Sequence, residues 1–77
     1  MRPLYEIAGE IEADCINKDW YLYAEPYVSA MKHLTRVSDT YYADSGSSVI
    51  AYALANLSSW RGDKARAIKA ELKALLK

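Results

Sequence analysis

"TYYADSGSSVIAYALANL", Thr40 to Leu57, passes from tyrosines, an acid and serines around a glycine into an apolar run. Asp44 or Ser45 is placed to accept from the free N–H groups of a new helix, and Val49, Ile50, Ala53, Leu54 and Leu57 give that helix a broad apolar face. The spacing predicts helix three over 45–58. The small residues around Gly46 would let it pack closely on a neighbour. The same start, with unpaired N–H groups, hydroxyls and a glycine, also offers a place for a phosphate, although neither Walker nor dinucleotide spacing is present.

Downstream, "SSWRGDKARAIKAELKALLK" has Ser58, Ser59 and Asp63 as candidate caps. Ala65, Ile68, Leu72 and Leu75 then alternate at three and four, which predicts helix four over 60–76. Lys64, Arg66, Lys69, Lys73 and Lys77 decorate it, yet Glu71 interrupts the series, and nucleic acid is not the expected partner. Trp60 and Arg61 lie in the connection between helices three and four. There an Arg can hold a phosphate or carboxylate while an indole stacks on a base. In the plainer reading Trp60 plugs the end of a bundle and Arg61 meets an acid of helix one.

Upstream, Pro26 suits a first helical turn, and Tyr27, Val28, Met31 and Leu34 form a stripe that predicts helix two over 24–35. Trp20, Tyr21 and Tyr23 precede it as a patch expected to pack across helix ends. Pro3 suits another helix start, and Leu4, Ile7, Ala8, Ile11 and Cys15 recur at three and four, predicting helix one over 3–16. Its opposite face carries Glu6, Glu10 and Asp14, a solvated face rather than an acid/base pair. The architecture expected is all-α, a compact bundle of four short helices in one domain, 1–77.

A chain of 77 residues buries a modest share of its surface, so self-association as a homo-oligomer is expected. Seven Tyr and two Trp with no Phe supply aromatic bulk with polar tips. Cys15 is the single cysteine, which excludes an intrachain disulfide and fits a reducing, cytoplasmic setting. The early acids Glu6, Glu10 and Glu12 argue against a signal peptide or membrane span. The net charge is zero but uneven: residues 1–30 carry two bases and six acids, a net of −4, whereas residues 58–77 carry six bases and two acids, a net of +4. These halves are expected to pair within the chain or with another copy.

His33 is the only histidine, and no serine or cysteine is tied to it by a nucleophile pattern. No catalytic residue, metal ligand or cofactor is expected. If the starts of helices three and four lie together, Tyr41, Tyr42, Ser45, Ser47, Trp60, Arg61 and Lys64 converge on one ligand-binding pocket. The expected function is non-enzymatic binding of a small anionic, nucleotide-like ligand. The alternative is an interaction module that inhibits or organises a protein partner.

"RPLYEIAGEI" (2–11), "YAEPYVSAM" (23–31), "ADSGSSVIAYALANLSSWRG" (43–62) and "ARAIKAELKALL" (65–76) resemble successive blocks of a family of small, largely uncharacterised proteins encoded by bacteriophages and prophages. The resemblance spans nearly the whole chain. It implies a short accessory protein made in the bacterial cytoplasm. Phage accessory proteins as a class often block a host component or, in counter-defence, sequester a nucleotide signal.

Overall fold

The computed structural model describes residues 2–76. In chain order it contains α1 (Leu4–Cys15), α2 (Tyr21–Met31), β1 (Thr40–Tyr41), β2 (Asp44–Ser45), α3 (Gly46–Ala55) and α4 (Asp63–Leu75). The expected four helices are present. The two short strands add a small antiparallel hairpin, with Thr40 opposite Ser45 and Tyr41 opposite Asp44. Its two-residue loop starts at Tyr42, whose φ of 56° lies in the left-handed region that glycine or asparagine usually fills. The sequence has no such turn residue there, so the hairpin left no local signal.

The apolar spacing sets the core. Leu4, Ile7, Ala8, Ile11 and Cys15 bury one face of α1, and Val49, Ile50 and Ala53 with Leu57 bury that of α3. Ala65, Ile68 and Leu72 form the seam of α4, with Leu75 partly covered. On α2 the predicted stripe is only partly right: Val28, Met31 and Leu34 are buried, while Tyr27 is half-covered. The helix starts earlier than its proline suggests. Tyr21 and Ala24 are buried two turns and one turn ahead of Val28, and that burial extends the helix through Pro26, which becomes an interior residue on the exposed side. Helix two also ends at Met31 rather than 35.

The ends of the helices are satisfied in different ways. Ser45 is the N-cap of α3, its Oγ accepting from the Ser48 N–H at 3.2 Å. Pro3 and Gly62 occupy the N-cap positions of α1 and α4 and supply no side-chain cap, so the predicted caps Ser58, Ser59 and Asp63 are not used. At α1 the orphan Leu4 and Tyr5 N–H groups donate instead to the carbonyls of Thr35 (3.0 Å) and Leu34 (2.9 Å). These bonds fasten the start of α1 to the chain just beyond α2. Gly46 is dictated by close approach: a Cβ there would lie 2.5 Å from the Val37 carbonyl oxygen.

Those contacts fix two ends of the molecule. At the first end the start of α1 meets the exit of α2, and the entry to α3 packs on Val37. At the second, Trp60 after α3 donates its indole N–H to Asp14 near the end of α1. The helices therefore alternate in direction, and Glu71 of α4 returns to Arg2. That arginine grips Glu71 through two bonds of 3.1 and 2.6 Å and also pairs with Glu10. It holds the Glu71 carboxyl below the usual range. The cross-chain pairing thus uses the minority charge of each half, one base from the acidic start and one acid from the basic end.

Among the described residues, no helix is long and apolar enough to cross a membrane. Lys77, counted with the basic face of helix four, lies outside the described residues.

Candidate functional site

The chain turns between α3 and α4 around Trp60, which is only 2% exposed. Three bonds fix it. Its backbone N–H donates to the Leu57 carbonyl at 2.9 Å, its indole N–H donates to an Asp14 carboxylate oxygen at 2.6 Å, and its carbonyl accepts from Lys69 Nζ at 2.6 Å. Gly62 then takes a φ of 116°, a conformation open to glycine, and directs the chain into α4. Arg61 stands between these two anchored residues with an exposed side chain.

Two cavities flank it. One, of about 250 Å³, lies among Asp14, Lys18, Trp20, Ser59, Trp60 and Arg61. The other, of about 380 Å³, adjoins Gly62, Ala65, Arg66 and Lys69. Four cations, Lys18, Arg61, Arg66 and Lys69, thus line the two cavities against one carboxylate, which already accepts from the indole. Arg66 has a loose partner in Asp63 at 3.7 Å, both nearly fully exposed, a pairing that contributes little. Among the described residues no carboxylate lies within ion-pair distance of Arg61, so it does not meet an acid of α1. Partial burial, with Lys73 and Arg61 nearby, pushes the Lys69 ammonium below its usual range. Charge of one sign is concentrated here, and an incoming anion would relieve the repulsion.

The structure divides the seven expected ligand-binding residues into two sets. Tyr41, Tyr42, Ser45 and Ser47 lie at the start of α3; Trp60, Arg61 and Lys64 lie beyond its far end. A helix of ten residues separates them by about 15 Å. The starts of helices three and four therefore do not share one pocket, because an α3 joined to α4 by a short turn delivers α4 to the opposite end. At the first set Ser45 Oγ lies 3.1 Å from Ser47 Oγ and 3.0 Å from Ser48 Oγ, so these hydroxyls already serve one another. The Gly46 N–H donates to the Asp39 carbonyl at 2.7 Å. Tyr41 stacks on His33 at 5.4 Å and meets Tyr42 edge-on at 4.6 Å. At the second set Trp60 is mainly core, Arg61 is central, and Lys64 is exposed outside both cavities.

Sequence reasoning missed Lys18 and Trp20 as neighbours of Arg61, because they approach only when the α1–α2 turn closes on the bundle end. Arg66 and Lys69 were visible as basic decoration of helix four. Their convergence with Arg61 follows from the turn at Gly62. No protein-family model, curated protein or solved structure matches the chain.

Proposed function

We propose that the Trp60–Arg61 corner binds a small phosphate-bearing, nucleotide-like anion and holds it without chemical change. The observation that carries this reading is an Arg61 with no ion-pair partner among the described residues, set between two cavities that Lys18, Arg66 and Lys69 make basic in a chain of zero net charge. A guanidinium grips a phosphate through two parallel bonds, and Trp20 beside it offers an aromatic surface for a base. The larger cavity, of about 380 Å³, lies by itself within the size range of small-molecule sites, about 300–1,000 Å³. In the phage setting that the sequence resemblance implies, such a site would withdraw a nucleotide signal from the host.

Isothermal titration with inorganic phosphate, AMP and a cyclic dinucleotide tests the proposal, with Trp fluorescence as a second readout. Arg61→Ala is expected to abolish binding while leaving the melting temperature unchanged, because the side chain is exposed. Binding that survives the substitution removes the proposed contact.

A second reading, an interaction module for a protein partner, draws on Ile16, Leu22 and Tyr23, which are exposed near the α1–α2 turn. It predicts a complex that forms without any bound anion and is weakened by Leu22→Ser rather than by Arg61→Ala.

A further inference from the structure

The end of the molecule remote from Arg61 holds a knob and a hole. Tyr42 stands at the hairpin tip, 89% exposed, touching its own chain through the edge-on contact with Tyr41. A bulky side chain at φ 56° is strained, so this tyrosine weakens the fold through its backbone while its exposed ring recovers little by packing. Glycine would serve the turn better. A residue that weakens its own domain while presenting a large amphipathic ring has the character of an interface anchor.

The hole precedes the hairpin in the chain. Pro3, Tyr5 and Val37 line a largely apolar cavity of about 490 Å³, with Thr35 and Arg36 beside them. The two features also carry opposite charge. Asp44, beside the hairpin loop, and Arg36, at the cavity, are both exposed and have no ion-pair partner among the described residues. An acidic knob and a basic hole on one end of a chain suit reciprocal exchange between two copies.

We propose that two copies pair about a twofold axis, Tyr42 of each entering the cavity between Pro3, Tyr5 and Val37 of the other, and Asp44 of each meeting Arg36 of the other. The contact is small, so the dimer exchanges rapidly and fills as concentration rises. It leaves the Arg61 corners at the two outer ends. The proposal does not rest on the anion reading, and Arg61→Ala must leave the dimer unaffected.

Sedimentation velocity on the full chain, from low micromolar to sub-millimolar concentration, provides the test. The wild type is expected to shift from monomer toward dimer. Tyr42→Gly should remain monomeric throughout and melt at a higher temperature, which separates loss of contact from loss of fold. Asp44→Arg and Arg36→Asp should each weaken the dimer by roughly tenfold or more, and the double swap on one chain should restore it. A wild type that stays monomeric overturns the proposal. So does a Tyr42→Gly variant that dimerises like the wild type, or a double swap that fails to recover what the single changes lose.

Discussion

Removing the Asp14 carboxylate should weaken the fold and strengthen anion binding at the same time. The Trp60 indole N–H is buried in the chain's turn and has Asp14 as its acceptor, at 2.6 Å. Asp14→Ala leaves that donor without a partner, at about 1–3 kcal/mol. Unfolding entropy of about 2.1 cal/mol/K per residue gives roughly 160 cal/mol/K for 77 residues, so 2 kcal/mol lowers Tm by about 12 °C. Trp60→Phe removes the donor as well as some volume, and in the double variant the Asp14 change should cost little more. A double-mutant cycle by thermal melts should therefore give a coupling of about 1–2 kcal/mol. Meanwhile the smaller cavity beside Arg61 loses its one negative charge. A surface-scale interaction of about 0.5 kcal/mol corresponds to roughly two- to threefold tighter phosphate binding. Asp14→Asn, which keeps an acceptor oxygen, should retain most of the stability and still show the tighter binding. A coupling near zero would refute the indole bond as an anchor, and unchanged affinity would refute the electrostatic account of the corner.

Other substitutions separate packing from backbone effects. Gly9 lies inside α1 with open space around its Cβ position, so Gly9→Ala should stabilise by about 0.5–1 kcal/mol in a urea titration. Gly46→Ala must displace the Val37 carbonyl and should destabilise by about 1–3 kcal/mol; equal effects at the two positions would contradict the close approach. Tyr21 is buried and its hydroxyl has no hydrogen-bond partner among the described residues, so Tyr21→Phe should raise stability by about 1–2 kcal/mol in the same titration. Burial pushes the Tyr21 hydroxyl from 10.0 up to about 12 and the Cys15 thiol from 9.0 up to about 11. Both groups are raised above their unfolded values, so their stabilising contribution is complete below about pH 9 and is lost as pH climbs through about 11 and 12. Alkaline unfolding followed by circular dichroism should show that window, shifted upward in Tyr21→Phe.

The sequence by itself determined the features that depend on neighbours three and four residues apart. Ile7 and Ile11, Val49 and Ala53, and Ile68 and Leu72 mark their helices because a 3.6-residue period must place them on one face. Ser45 was legible as a cap because its hydroxyl answers a donor three residues on. Tertiary contacts decided the rest. Helix two starts at Tyr21 because burial of that ring outweighs the cost of holding Pro26 inside the helix rather than in the first turn that the local pattern assigned it. The α1 start is satisfied by the Leu34 and Thr35 carbonyls, 29 and 31 residues along the chain from the Tyr5 and Leu4 N–H groups they accept from, and invisible to any local pattern. The expected pocket divided for the same reason: helix spacing tells which residues share a face, but the direction in which α3 hands the chain to α4 is set by packing. That packing carried Tyr41 and Ser45 to one end and brought Lys18, Trp20 and Lys69 to Arg61 at the other.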